Sequence, residues 1–195
     1  AVQAAEKGYR VYGVDKNKQL LTKISARQSP YVNDQRFASA LENISSKTFT
    51  VSDSYDSLQQ ADVVIICVPT PTNNNVPDLS LVQSAVESVA VHARSGQLIV
   101  LESTVNPGVT RDLIAPILER VSGLTIGEDI FLAHCPERID PGNSQWFVGN
   151  LNRVVGGITE ACTAKAVEFY ETIIDARIIA LGSSEEAEFT KSWEN

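Results

Sequence analysis

The stretch Asp62-Val63-Val64-Ile65-Ile66-Cys67-Val68-Pro69-Thr70-Pro71-Thr72 decides how this chain is read. Residues 62–68 are almost continuously apolar and rich in β-branched side chains, the composition of a strand buried on both faces of a parallel sheet. At Pro69 the backbone can no longer donate a ladder hydrogen bond, and the chain becomes a stiff loop. Ligands of open α/β sheets bind just beyond the carboxyl ends of the strands, so residues 68–72 are expected to form a ligand lip. A buried strand followed by an ordinary proline-stiffened turn would read the same from this segment alone.

Downstream, strand and helix alternate. Asp78 reads as the cap of a helix reaching about residue 93, and a buried strand at 98–101 ends in Glu102-Ser103-Thr104. Asn106-Pro107-Gly108 turns the chain into a helix over 109–121. A strand at 130–133 leads to Cys135-Pro136-Glu137-Arg138, and a polar loop containing Trp146 fills 139–152. A strand at 153–155, a helix at 159–173 and a short strand at 177–180 follow. Ser183 with Glu186 three residues on is a capping-box pattern, opening a helix that still runs at Asn195.

Upstream, residues 1–7 are helix-compatible, Gly8 stands as a stop, and residues 9–14 form a strand ending in Asp15. Helical patterns at 17–27 and 33–44, a strand at 48–51 and one or two turns at 54–60 complete the chain. The alternation predicts an α/β fold with a doubly wound, Rossmann-like parallel sheet.

With 195 residues the chain is expected to hold one domain, or one domain and a piece of another. The net charge of −8 argues against a nucleic-acid or anionic membrane surface. No window approaches the roughly 18 uninterrupted apolar residues of a membrane span, and no secretory leader is visible. Three widely spaced cysteines, Cys67, Cys135 and Cys162, fit neither a metal motif nor a secreted disulfide framework, which points to a reducing cytoplasm. Cys67 is expected to be core packing and Cys135 a structural thiol. The sequence contains no methionine, an initiator included, and both ends read as cuts through an element.

Three strand ends carry polar residues unsuited to a core: residues 69–72, Ser103-Thr104, and Glu137-Arg138. In a parallel sheet these ends share one edge, so they converge although about 35 residues separate each from the next. A carboxylate beside a threonine hydroxyl is a base-and-water arrangement; loop capping and a surface Glu137–Arg138 ion pair would use the same residues. Lys191 and Asn195 lie four apart on one helical face, where an ammonium and an amide can steady an oxyanion, or simply face solvent. Asp15, ending its strand, is placed like the acid that accepts the ribose hydroxyls of NAD, although such residues also serve as caps. The glycine-rich fingerprint expected about 20 residues before such an acid is not in this chain. His92 and His134 have no ligand-like spacing, and no metal site is read.

Taken in order, VPTPT at 68–72, PDLS at 77–80, ESTVNPG at 102–108, PERIDPGN at 136–143, VVGG at 154–157 and AEFTKSWEN at 187–195 resemble the UDP-glucose/GDP-mannose dehydrogenase family. The form of PERIDPGN is more similar to the branch acting on UDP-N-acetylhexosamines. The resemblance implies oxidation of the carbon-6 alcohol of a UDP-sugar to a carboxylate, with two successive hydride transfers to NAD. It implies that Asp15 binds the adenosine ribose, and that Val68, Pro69, Thr70, Ser103 and Thr104 lie against the cofactor. Thr104 and Glu137 would position water and move protons in thioester hydrolysis, and Lys191 and Asn195 would steady the oxyanion.

It also implies a domain at 1–182, then from 183 the start of the central helix through which family members form homodimers. The family's glycine-rich loop and first strand would precede Ala1, and its catalytic cysteine would follow Asn195. None of the three cysteines here matches that nucleophile, so the chain alone is expected to be inactive. Ser192 and Trp193 depart from the smaller or more aliphatic residues usual in the Lys-x-x-x-Asn helix. Without a first strand, the strand near 10–14 is expected to stand apart from the one at 62–68, unless re-pairing or a partner chain closes the gap. Two other readings stay open from sequence: a different NAD-linked hydroxyacid or phosphogluconate-type dehydrogenase, and a non-catalytic binding or interaction module.

Overall fold

The computed structural model describes residues 1–31, 34–74, 76–138 and 148–194. Its chain order is α1 (Val2–Glu6), β1 (Val11–Val14), α2 (Lys18–Ser25), α3 (Gln35–Asn43), β2 (Phe49–Ser52), a 3₁₀ turn (Asp56–Gln60), then β3 (Val63–Ile66). A small hairpin, β4 (Thr72–Asn73) and β5 (Val76–Pro77), leads to α4 (Ser80–His92) and β6 (Leu98–Leu101). A π-helical turn (Thr110–Ile114) runs into α5 (Ala115–Ser122), followed by β7 (Phe131–His134), β8 (Arg153–Gly157), α6 (Glu160–Ile173), β9 (Ile178–Ala180) and α7 (Ser184–Glu194).

Among the described residues the strands form two separate main sheets. β1 and β2 pair in parallel, and β3-β6-β7-β8-β9 make a five-stranded sheet to which no ladder joins β1. This separation is the one expected above. β3, β6 and β7 are parallel, whereas β8 runs antiparallel to β7, with Ala133 opposite Gly157, and β9 follows β8. The sheet is therefore mostly parallel with a reversed edge, a direction that apolar strand patterns do not encode.

The large sheet is covered on both faces. Val64, Ile66, Ile99, Leu101 and Leu132 pack under α4 and α5, while Leu98, Val100, Ala133 and Val155 pack under α6. β6 and β8 are buried along their whole length: β6 is the continuous apolar run of a doubly covered strand, whereas β8 opens with the buried Arg153. Local signals set the helix starts. Asn17 accepts from Gln19 N and Leu20 N, Asp34 from Phe37 N, and Thr159 from Cys162 N. Ser183 accepts from Glu186 N at 3.3 Å, and the Glu186 carboxylate takes the Gly182 N–H at 2.9 Å.

Two glycines decide how the helices lie on β8. A Cβ at Gly156 would stand 1.9 Å from the Ser183 carbonyl oxygen, and one at Gly157 would stand 2.4 Å from Thr163 N. Only glycine lets the start of α7 and the first turn of α6 approach the strand this closely.

One expectation changes around the opening stretch. β3 ends at Ile66, and Cys67 is exposed rather than part of the core; among the described residues no strand pairs along the outer edge of β3. Beyond the lip, Thr72 pairs with Pro77 and Asn73 with Val76 in a short antiparallel ladder, and the Pro71 carbonyl accepts Asp78 N–H at 2.7 Å. The polar loop with Trp146, and the start of the helix read from residue 33, fall at least partly outside the described residues.

Candidate functional site

The carboxyl ends of β3 and β6 are laced together. Ser103 Oγ donates to the Val68 carbonyl at 2.7 Å, and Thr70 Oγ1 donates to the Thr104 carbonyl at 2.8 Å. Ser103 is buried, so its hydroxyl supports the Val68-Pro69-Thr70 lip from behind. Thr70 likewise spends its proton on the tie. Thr104 is half-buried, and its own hydroxyl takes part in no hydrogen bond among the described residues, which leaves it available to a water or ligand.

Glu137, at the end of β7, is held at both oxygens. Oε1 accepts the Arg138 N–H at 2.7 Å, and Oε2 pairs with Arg153 Nη2 at 2.6 Å. The Arg153 side chain is 1% exposed and that of Glu137 is 33% exposed, so the pair reaches from the interior to the edge of the site. Arg153 Nη1 also donates to the Pro136 carbonyl at 2.9 Å, which fixes the backbone on which Glu137 stands. A guanidinium buried at the start of β8 thus takes the part that sequence reading offered to a surface pair with Arg138. Charge-assisted bonds at both oxygens keep the Glu137 carboxylate oriented.

Behind this pair lies a second acid. The fully buried Tyr170 donates from its hydroxyl to Glu102 Oε1 at 2.6 Å. Burial raises the Glu102 carboxyl, against the pull of the Arg153 guanidinium and the Tyr170 hydroxyl. Desolvation alone would lower the Arg153 guanidinium, but the Glu102 and Glu137 carboxylates hold it above its ordinary value. Burial likewise pushes the Tyr170 phenol and the Cys135 thiol up, leaving Cys135 an inert thiol beneath the site. Sequence reading missed Arg153, Glu102 and Tyr170 as site residues. The available signal for the two charged residues was a charge at one end of a strand, Glu102 just after β6 and Arg153 opening β8; Tyr170, on α6, gave none.

Asp15 extends β1 through its N–H to the Ser52 carbonyl at 3.2 Å, and its Oδ1 accepts Asn17 N–H at 2.7 Å. The residue is exposed, and Oδ2 has no partner among the described residues. One oxygen therefore holds the local turn, while the helix cap itself is Asn17, and the other oxygen faces outward. Lys191 lies half-buried on α7, and Asn195 falls outside the described residues.

An exposed acid ending a parallel strand and a polar lip beyond the parallel strands of a doubly wound sheet define a dinucleotide-binding α/β domain. The chain belongs to the UDP-glucose/GDP-mannose dehydrogenase family, whose NAD binding domain matches residues 1–174. Over 195 residues it is 33% identical to a UDP-N-acetyl-D-mannosamine dehydrogenase of Pyrococcus horikoshii, covering all of this chain and 46% of that protein. Over 159 residues it is 35% identical to a UDP-N-acetyl-D-glucosamine 6-dehydrogenase of Pseudomonas aeruginosa, covering 81% of this chain and 37% of that protein. The solved structure of the Pyrococcus horikoshii UDP-D-ManNAc dehydrogenase superposes with a TM-score of 0.90 at 32% identity, over all of this chain and 46% of that one. The chain thus spans less than half the length of these relatives.

NAD is the cofactor of this domain family. The residues present do not conflict with such a group: Oδ2 of Asp15 is open to accept a hydroxyl, and the braced lip over β3 and β6 stands at the carboxyl edge of the sheet, where such sheets take ligands. No glycine-rich phosphate loop is in this sequence. Among the described residues no helix is long and apolar enough to cross a membrane.

Proposed function

We propose that this chain is the NAD-binding portion of a nucleotide-sugar 6-dehydrogenase. The enzyme would oxidise the carbon-6 alcohol of a UDP-N-acetylhexosamine to a carboxylate, reducing two NAD. The observation that carries the reading is the convergence of Thr104, with its unengaged hydroxyl, and Glu137, held by Arg153, on the carboxyl edge of one sheet. The names of the relatives support the substrate class.

In this reading Asp15 accepts the adenosine ribose, and Val68, Pro69 and Thr70 form the lip, braced by Ser103. Thr104 orients a water, and Glu137 takes and returns its proton. Lys191 and Asn195 steady negative charge on the substrate oxygen. NAD supplies the hydride acceptor when bound. Residues 1–182 are read as the cofactor domain, and residues from 183 as the start of the central helix of a homodimer. The exposed, stacked Phe189 and Trp193 of α7 fit that role. None of the three cysteines is placed as the nucleophile for the second oxidation: Cys135 and Cys162 are buried, and Cys67 lies on the open edge. The chain by itself is therefore proposed not to complete turnover.

Calorimetry with NAD and with UDP-N-acetylglucosamine or UDP-N-acetylmannosamine tests this, with NADH fluorescence recorded in parallel. NAD is expected to bind, Asp15→Ala to weaken it roughly tenfold through loss of a charge-assisted bond, and NADH not to accumulate. Binding of neither ligand would replace the proposal with an interaction module. NADH formation would show that turnover does not need a further segment.

A further inference from the structure

Helix α7 and the loop after β6 are joined by one buried carboxylate. Glu188 is 0% exposed; its Oε2 accepts the Gly108 N–H at 2.6 Å, and its Oε1 accepts the Thr110 N–H at 2.8 Å and the Thr110 hydroxyl at 2.6 Å. Gly108 stands at φ 96°, the left-handed conformation that turns the Asn-Pro-Gly corner, and Thr110 is fully buried. The helical segment beginning at Thr110 has no side-chain cap of its own, so its first N–H groups need an acceptor from elsewhere. Glu188 supplies it, with a negative charge at the positive end of the segment.

The chemistry is specific to a glutamate. Both oxygens must accept, and three donors point at them. A glutamine offers one acceptor oxygen and sets an NH₂ group against an N–H donor, while alanine leaves buried donors unpaired. A second tie between the same elements lies outside: Arg111 Nε meets Glu185 Oε1 at 2.5 Å, with side chains 47% and 33% exposed. Such an exposed pair contributes little.

Thr104 precedes Gly108 on the tied loop, and Lys191 follows Glu188 by one helical turn. We infer, resting on the dehydrogenase reading above, that Glu188 is the positioning residue that sets α7, and Lys191 with it, against the loop carrying Thr104. It does so without touching substrate or cofactor.

The test compares Glu188→Gln, Glu188→Ala and Arg111→Ala in this chain. Three signals are followed: amide exchange at Gly108 and Thr110, the NMR shifts of the Lys191 ε-methylene, and NAD affinity by calorimetry. Glu188→Gln is expected to speed exchange at both amides at least about tenfold by freeing the loop locally. The Lys191 signal should move toward that of a solvated lysine. NAD affinity should fall by no more than about fivefold, since Asp15, Val68 and Pro69 lie on other elements and only the Thr70–Thr104 tie reaches the loosened loop. Arg111→Ala should leave all three unchanged.

An unmoved Lys191 signal in both Glu188 variants overturns the inference. So does a shift change spread over the whole sheet with NAD affinity falling in step, which would make Glu188 a structural residue only. If the Glu188 variants do not fold, Thr110→Val deletes one of the three donors. The Lys191 signal should then move part of the way, and its staying put is the overturning result. A parent chain that binds no NAD defeats the dehydrogenase reading, while the Lys191 signal still decides the docking.

Discussion

The two sheets of this molecule are built from similar words and end up in different physical states. Every strand residue of β1 is half-buried, and the small sheet rests on a core of Ala5, Leu41, Ile44 and Phe49. β6 is buried at every position between two helical layers. The buried polar residues among those described, from Gln97 to Glu188, all belong to the larger unit and none to the first 96 residues. A two-stranded sheet is marginal by itself, so β1–β2 depends on its docking, whereas the five-stranded unit holds its own core. The contrast teaches that Asp15, proposed to hold the ribose, and the lip at Val68 ride on units of unequal stability.

The sharpest way to break this comparison is to place a methyl group in each sheet. In Gly157→Ala the new Cβ would meet the backbone of Thr163 and Cys162 at 2.4 to 2.8 Å, which neither can yield. A loss of more than about 3 kcal/mol in urea unfolding is expected, enough to open the large sheet. In Gly13→Ala the nearest atom is the Val51 side-chain methyl at 3.0 Å, which can rotate away. That change should stay within about 1 kcal/mol, and equal losses in the two variants would erase the distinction.

Acid should also choose between the sheets. His134 is fully buried, neither ring nitrogen has a partner among the described residues, and burial pulls the imidazole down from 6.5 to about 4. Between those values the unfolded chain binds the extra proton, so this contribution is intact above pH 6.5 and is lost as pH falls toward about 4. A drop of up to about 3 kcal/mol is expected between urea melts at about pH 7 and about pH 4. His134→Leu should flatten that part of the slope, and an unchanged slope would show that the imidazole is not held neutral.

The smallest effect belongs to the seam. Lys7 Nζ meets Asp175 Oδ1 at 2.6 Å, and Tyr9 Oη meets Thr172 Oγ1 at 2.6 Å, both at the surface between α1–β1 and α6. A double-mutant cycle on Lys7→Ala and Asp175→Ala should return less than about 1 kcal/mol. A larger coupling would mean that the small sheet is fastened by charge rather than by the packing of Ala4 and Val11 against the larger core.

Much of this was legible beforehand, for identifiable reasons. Strand β6 occupies the predicted residues 98–101 because a short β-branched run between turn formers has few alternatives. Ser183 announced a helix start because capping is local chemistry, whereas Asp78, read as the cap of α4, accepts the Ser80 N–H from one residue before the cap position at Leu79. The three converging strand ends followed from parallel topology alone. Arg153 was read only as the first residue of a strand, since nothing local says that a guanidinium will be buried against an acid 16 residues earlier. Cys67 was misplaced because an apolar run does not show where its strand ends, here at Ile66.

The sequence by itself determined the alternation of elements, the family, the cofactor class and the residues that gather at the sheet's carboxyl edge. Those follow from periodicity, turn chemistry and motifs, which act over a few residues at a time. Only the tertiary structure decided that β8 reverses, that Gly156 and Gly157 admit two helices, that Arg153 orients Glu137, and that Glu188 ties α7 to the loop of Thr104. Each of these depends on a contact across the sheet or between helices, where burial sets the strength of charge and the space left for a side chain.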